Sequence, residues 1–166
     1  DKESLLALIN KLRKEIPDIV IRTTFIAGFP GETEEEFTEL CEFAKEAKFQ
    51  RMGCFPYSVE EGTPAADFPN QLDEETKAHR AEVIMDQQSY IMDEYLESQI
   101  GKEMEILCEG YDRYAECYFG RGYCDAPDVD TVTFFTTTGE KPKVGEFYKV
   151  EITDFIDSTP VGEIID

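Results

Sequence analysis

The chain has 166 residues, with 16 Lys and Arg against 37 Asp and Glu, which gives a formal net charge of −21 at pH 7. This acidic excess repels phosphate backbones, so it argues against nucleic acid as the main partner and favours a basic protein surface. No apolar run approaches the roughly 20 residues that a bilayer requires, so we expect a soluble, cytoplasmic, monomeric protein without a membrane partner.

The first 97 residues alternate helical and strand patterns. Leu5, Leu8, Ile9 and Leu12 recur at helical spacing and predict a first helix, which ends near Pro17. Such alternation is typical of parallel β/α architecture.

The stretch from Ile19 to Phe37, IVIRTTFIAGFPGETEEEF, predicts a strand, a Gly-Pro-Gly turn and the start of a helix. Its apolar residues fall on both faces of the strand, which predicts a parallel strand covered on both sides. Thr33 and Glu36 have the spacing of a capping box, so we expect the helix to run from Glu34 to about Lys48.

A second strand is predicted from about Gln50 to Phe55, followed by a loop from Pro56 to Pro69 that is rich in Pro, Gly and Thr. A long helix then begins after Asp73 and reaches residue 97. Two parallel strands leave edges with unpaired backbone groups. We therefore interpret residues 1–97 as the last part of a larger β/α fold.

From Gly101 onward the pattern changes to short segments that alternate with period two. They are centred on Met104, Ile106 and Cys108; on Ala115, Cys117 and Phe119; on Val132 and Phe134; on Tyr148, Val150 and Ile152; and on a final run to Ile165. Five such segments predict a small OB-like antiparallel barrel over residues 98–166. The predicted fold class is therefore α/β followed by all-β.

Three motifs carry a resemblance to a known family. They are IAGFPGETEEEF from Ile26 to Phe37, FPYSVEEGTPAA from Phe55 to Ala66, and GRGYCDAPDVD from Gly120 to Asp130. In this order the chain resembles the methylthiotransferases of the radical SAM superfamily, and the third motif is similar to that of the RimO branch. The resemblance implies the last β/α units of a radical SAM barrel over residues 1–97 and a TRAM domain over residues 98–166.

The resemblance also implies a chemistry. Enzymes of this branch methylthiolate the β-carbon of an aspartate in small-subunit ribosomal protein S-twelve, using S-adenosylmethionine and two four-iron four-sulfur clusters. The five cysteines lie far apart without a CxxxCxxC pattern, and none matches a cluster ligand of the family. We therefore expect no catalytic or metal-binding residue in this chain and no turnover by it alone.

The resemblance assigns candidate contacts residue by residue. Ile26, Ala27, Gly28 and Phe55 fall where radical SAM proteins contact the adenine of S-adenosylmethionine. Loop position and charge, rather than the resemblance, suggest the candidates for binding the basic ribosomal protein: Tyr57 in the loop after the second strand, and Arg121, Tyr123, Asp125, Asp128 and Asp130 in the third motif. Arg121 has an alternative structural role, in which it pairs with Asp125 or Asp128.

Two alternatives remain open from the sequence. The first is the tRNA-modifying relative of the same family, which acts on adenosine. It would need a basic TRAM surface, whereas residues 98–166 hold 6 basic and 15 acidic side chains. The second is an acidic adaptor that binds basic proteins without catalysis. A CxxxCxxC motif upstream of Asp1 would establish the enzyme, and its absence would favour the adaptor.

Overall fold

The computed structural model describes residues 1–165 of the chain and divides them into two compact units, residues 1–92 and 93–165. The helices are α1 (Lys2–Glu15), α2 (Glu34–Ala47), a short 3-10 helix (Pro64–Asp67) and α3 (Glu74–Glu97). The strands are β1 (Arg22–Ala27), β2 (Arg51–Pro56), β3 (Glu103–Asp112), β4 (Cys117–Arg121), β5 (Thr133–Thr136), β6 (Phe147–Ile156) and β7 (Thr159–Ile164). The division between the units falls within α3. Within residues 1–165, no helix combines the length and apolar character needed to cross a membrane.

The first unit contains a two-stranded parallel sheet, in which Phe25 is opposite Cys54 and Ile26 is opposite Phe55. One face of this sheet packs against the helices. The core there consists of Ile9 from α1, Ala27, Met52 and Cys54 from the strands, Phe43, Ala44 and Ala47 from α2, Phe49 after it, and Ala81 and Ile84 from α3. The prediction that β1 is covered on both faces is therefore wrong, because all three helices contribute to the core on the same face.

Helix α2 forms as its sequence predicts. The Thr33 hydroxyl accepts a hydrogen bond from the Glu36 N–H (3.2 Å), and the Glu36 carboxylate accepts one from the Thr33 N–H (2.9 Å). Lys48 then ends the helix in the left-handed conformation, with φ of 45°. Such reciprocal capping satisfies two backbone donors that an α-helix leaves unpaired at its start.

The apolar stripe predicted for α1 is only partly buried. Ile9 lies in the core, whereas Leu5 and Leu8 are exposed. Along α3, Ala81, Ile84, Gln88 and Ile91 are all buried at helical spacing and form a continuous buried stripe.

The sequence suggested that the outer edge of β2 is open, but in the structure this edge is partly covered. The Cys54 N–H donates to the Met85 sulfur at 3.2 Å, and the Gln88 amide donates to the Phe49 carbonyl at 2.9 Å. Helix α3 therefore lies along this edge and partly satisfies its backbone groups.

The second unit is a closed barrel with strand order β3-β4-β5-β7-β6. Four of its pairings are antiparallel, and the pairing of β5 with β7 is parallel. Its core is formed by Ile106, Cys108, Phe135, Val150 and Ile152, with Tyr118 packed against it. The predicted fold class, α/β followed by all-β with a five-stranded barrel, is confirmed.

In two barrel strands the buried residues are not the ones on which the sequence pattern is centred. The pattern is centred on Val132 and Phe134, but Thr133 and Phe135 are the buried pair on β5. On β4, Tyr118 packs against the core, whereas Phe119 contacts Phe134 outside it, with ring centroids 6.4 Å apart. A shift of one residue exchanges the two faces of a strand.

Candidate functional site

The open face of the parallel sheet carries two of the predicted cofactor contacts. Ile26 and Phe55 are register partners at the carboxyl ends of their strands, and they are 57% and 62% exposed. Gly53, two residues before Phe55 on the same face, has no side chain to fill the space beside the Phe55 ring. The structure thus places an exposed apolar wall at the end of the sheet where β/α folds bind ligands.

The other two predicted cofactor contacts have different surroundings. Ala27 is fully buried, and its side chain lies in the core with its carbonyl bonded to the Tyr57 N–H at 2.8 Å. Gly28 is also buried and adopts φ of 77°, a conformation that favours glycine. An ideal Cβ on Gly28 would lie 2.7 Å from the Lys77 Cγ. Only the backbone of these two residues can therefore contribute to the wall.

Tyr57 directly follows β2 but is buried rather than presented to solvent. Its ring lies 5.3 Å from the Phe29 ring centroid, and the Lys77 ammonium is 5.3 Å from the centre of the Tyr57 ring. Lys77 is itself 1% exposed and donates to the Glu74 carboxylate at 2.8 Å. Tyr57 therefore packs beneath the turn, and its hydroxyl has no hydrogen-bond partner among the described residues.

A second buried cation, Arg80, binds the turn from α3. Its Nη1 donates to the Glu32 carboxylate at 2.7 Å and to the Glu32 carbonyl at 3.0 Å, while its Nη2 contacts the Glu34 carboxylate. Burial alone would lower the pKa of the Arg80 guanidinium, but hydrogen bonds to Glu34 and Glu32 outweigh burial and raise that pKa. The guanidinium also lies over the Phe37 ring, 5.1 Å from its centre.

The sequence reasoning missed Lys77 and Arg80, because charged residues in the first turns of a helix are usually solvated. A signal was present in the spacing. Counting back four residues from Ala81 along the buried stripe of α3 leads to Lys77, and Arg80 precedes Ala81 directly. Glu32 and Glu34 supply the opposite charges for Arg80, and Glu74 supplies the one for Lys77.

The Gly120–Asp130 loop in the second unit is held by its own carboxylates. One oxygen of Asp125 accepts from the Gly122 N–H at 2.9 Å, and one oxygen of Asp130 accepts from the Ala126 N–H at 2.6 Å. These contacts tie both carboxylates to the backbone of the loop and give Asp125 and Asp130 a structural role. The side chains of Tyr123, Asp128 and Val129 are exposed on it.

Arg121 pairs with a residue that the sequence reasoning did not consider. Its guanidinium forms an ion pair with Glu109 on β3 rather than the suggested pair with Asp125 or Asp128. Beside this pair lies a groove of about 420 Å³, lined by Glu109, Phe119, Arg121, Pro127 and Asp128 among others. The groove thus has apolar walls and an excess of carboxylates, which suits a ligand that carries a cation on an apolar stem.

The cysteines have properties that suit core packing. Burial raises the pKa of Cys54 to about 11, with the nearby Glu32 adding to the rise, and burial likewise raises the pKa of Cys41, Cys108 and Cys117. Metal ligation requires the thiolate, which a raised pKa disfavours. Within residues 1–165, no group of three or more His, Cys, Asp or Glu is arranged to hold a metal ion. The residues present therefore do not fit an iron–sulfur cluster.

Comparison with known proteins identifies the second unit. Residues 100–165 match the TRAM domain. This match covers all five barrel strands, so the closed barrel is a TRAM domain.

The whole chain is similar to curated proteins named ribosomal protein uS12 methylthiotransferase RimO. It is 45% identical over 98% of its length to the one from Desulforamulus reducens, and 41% identical over 99% of its length to the one from Clostridioides difficile. The relative from Clostridium botulinum strain Eklund 17B is 44% identical over 99% of the chain. The chain spans only 37%, 36% and 36% of these relatives, and the match lies in their carboxy-terminal region.

Proposed function

Because the chain belongs to the RimO branch of the radical SAM methylthiotransferases, whose carboxy-terminal part it matches, we propose that it is part of an enzyme that methylthiolates the β-carbon of an aspartate in ribosomal protein uS12. The observation that supports this most is the identity of 40–45% to proteins of that name along nearly the whole chain, including the TRAM domain. In this proposal the two units have different tasks. The first contributes to the cofactor site, and the second recognises the basic protein substrate.

The apolar wall formed by Ile26 and Phe55 would bind the adenine of S-adenosylmethionine. Both side chains are exposed at the carboxyl ends of parallel strands. Covering them with a planar aromatic group would favour binding, because it removes apolar surface from water. Ala27 and Gly28 are buried, so their part in this proposal is limited to their backbone groups. When bound in the parent enzyme, S-adenosylmethionine supplies the radical and methyl chemistry. The chain's own residues bind and orient it.

The two iron–sulfur clusters of the family would be held outside this chain. The described cysteines do not fit a cluster, since no three possible ligands are arranged to hold a metal ion within residues 1–165 and four of the cysteines have raised pKa values. Turnover by the isolated chain is therefore not expected, although the parent enzyme would perform it.

The TRAM loop would receive a basic segment of uS12. Asp125 and Asp130 hold the backbone of the loop, so Asp128 at its exposed turn is the carboxylate best placed to meet a Lys or Arg. Tyr123 would add an exposed aromatic surface, and Arg121 is already neutralised by Glu109. Tyr57 is buried beside Lys77, so we assign its substrate role to support of the turn rather than to direct contact.

A chimera tests the proposal. The corresponding carboxy-terminal part of the Desulforamulus reducens relative is replaced by this chain, and mass spectrometry measures methylthiolation of purified uS12 and of tRNA. We expect modified uS12 and unmodified tRNA. Modified tRNA would instead indicate the adenosine-modifying relative, and a folded chimera that binds uS12 without modifying it would indicate the adaptor.

One substitution in the same chimera tests the role of the Gly120–Asp130 loop. Asp128→Asn should raise the Michaelis constant for uS12 roughly two- to fivefold, the size expected for one exposed charge pair. Asp157→Asn is the matched control, because Asp157 is also exposed in a turn of positive φ in the same unit. An equal effect of both substitutions would attribute recognition to net charge and not to the loop.

A further inference from the structure

The Glu32 carboxylate connects the end of β1 to α3. Its Oε1 accepts hydrogen bonds from the Gly28 N–H at 2.9 Å and from the Arg80 Nη1 at 2.7 Å. Glu32 and Arg80 are 48 residues apart in the sequence, and their side chains are 12% and 5% exposed. A single buried oxygen therefore joins the helix to the backbone of the turn.

Four further contacts reinforce this connection. Arg80 also binds the Glu32 carbonyl, so it fixes both the side chain and the backbone of that residue. The aliphatic stem of Lys77, one turn earlier on α3, lies against Gly28 so closely that no Cβ would fit. Its ammonium covers the Tyr57 ring, and the Tyr57 N–H is bonded to the Ala27 carbonyl.

These contacts bear on the apolar wall because Gly28 is two residues beyond Ile26. The direction in which Ile26 projects depends on the backbone from Ile26 to Gly28, and that backbone is tied on one side to Tyr57 and on the other to Glu32. Moving the turn by a fraction of an ångström would change the contact of the wall with a planar ligand.

We infer that Arg80 is a positioning residue for the cofactor wall, acting through Glu32 on the Gly28 backbone. The inference rests on the proposed function, because it assumes that the wall formed by Ile26 and Phe55 binds S-adenosylmethionine. Arg80 does not touch the ligand. Its other partner, Glu34, is 77% exposed and contacts Nη2, whereas the Gly28 N–H is bonded to Glu32, so we expect Glu34 to contribute little to positioning.

The inference predicts separate effects of three substitutions in the full enzyme that contains this chain. Arg80→Met should raise the dissociation constant for S-adenosylmethionine roughly tenfold, the factor that corresponds to losing one charged hydrogen bond. Arg80→Lys should restore part of the affinity, because a lysine ammonium can still bind the Glu32 carboxylate but lacks the planar guanidinium that also holds the Glu32 carbonyl. Glu34→Gln is the matched control and should leave the affinity within twofold.

Amide hydrogen exchange provides a readout that does not depend on turnover. Arg80→Met should accelerate exchange at Gly28 at least tenfold more than at Ala44 and Ala47, which lie in the buried core. Uniform acceleration at all three amides would show that Arg80 only stabilises the unit, and would overturn the inference. So would unchanged exchange at Gly28.

The two proposals fail in distinguishable ways. If exchange at Gly28 rises locally while the affinity for S-adenosylmethionine is unchanged, Arg80 does not position a cofactor wall, and the inference is overturned. If the unsubstituted enzyme does not bind S-adenosylmethionine, the proposed function itself is wrong, whatever the exchange data show.

Discussion

The two units of the chain differ in how the edges and apolar faces of their sheets are covered. Every strand of the TRAM barrel has two hydrogen-bonded neighbours, and the apolar side chains are enclosed by the strands themselves. The parallel sheet of the first unit has two strands, with helices packed on one face and exposed apolar residues on the other. The comparison indicates that the barrel is complete as a structure, whereas the open face of the sheet is suited to bind something else.

The largest effect should come from the interior of the barrel. Phe135 is fully buried and its ring stacks on Tyr118 at 5.9 Å, so Phe135→Ala should lower the free energy of unfolding of the second unit by about 3–5 kcal/mol. Urea denaturation followed by circular dichroism measures this loss. Phe134→Ala, one residue away on the outer face, is the control and should cost less than half as much. Equal losses would contradict the inward placement of Phe135.

A smaller contrast should separate the two faces of the parallel sheet. Phe25 packs against Phe43 and Phe49 on the helical face, with ring centroids 6.2 and 6.0 Å away. Phe25→Ala should therefore cost about 3 kcal/mol, and Ile26→Ala on the open face should change the free energy of unfolding by no more than about 0.5 kcal/mol. Both are measured on the full chain by thermal or urea unfolding. A large loss at Ile26 would mean that the open face is covered in solution.

The smallest predicted effect is on stability at acidic pH, and it arises from one exposed aspartate in each unit. Hydrogen bonds from Thr76 hold the pKa of Asp73 below its usual range at the start of α3, and those from Ala115 and Tyr114 do the same for Asp112 in the turn between β3 and β4. A lowered pKa in the folded state stabilises the fold above the unfolded-state value of about 3.9. That stabilisation decreases as the pH falls from the unfolded-state pKa to below the lowered pKa of the folded state.

Melting temperatures recorded between about pH 5 and pH 2 measure this dependence. Asp73→Asn should weaken the pH dependence of the melting temperature of the first unit alone, and Asp112→Asn that of the second unit alone. Asparagine keeps the oxygen that accepts the hydrogen bonds but does not titrate. A change in both transitions after one substitution would show that the two units unfold together.

Much of the fold could be predicted because local signals agree with the final structure. The capping box of Thr33 and Glu36, the start of α3 after Asp73 and the five barrel strands all follow from residue types and spacing. The phase of β4 and β5 could not be predicted from the pattern. Phe134 and Phe135 are adjacent aromatic residues, so either face of β5 would be apolar, and only the register with β4 and β7 selects Phe135 for the interior.

The sequence indicated the residues of the candidate site but not the buried cations that pack behind it. The order of the motifs located Ile26, Phe55 and the Gly120–Asp130 loop, and the structure places Ile26 and Phe55 side by side. The buried cations Lys77 and Arg80 were missed, because the turn that they pack against, at Gly28 and Glu32, lies far earlier in the chain (48 residues between Glu32 and Arg80), beyond the reach of helical periodicity. Contacts of that kind depend on how the elements pack rather than on local sequence.

The parallel pairing of β5 with β7 has a consequence for biosynthesis. Strand β7 is the last strand in chain order and is hydrogen-bonded to both β5 and β6. Until β7 has been translated and has inserted between them, β5 and β6 each present a row of unpaired backbone groups. Nascent chains that stall before Thr159 would therefore be the species most prone to aggregate, through strand edges that the finished barrel does not have.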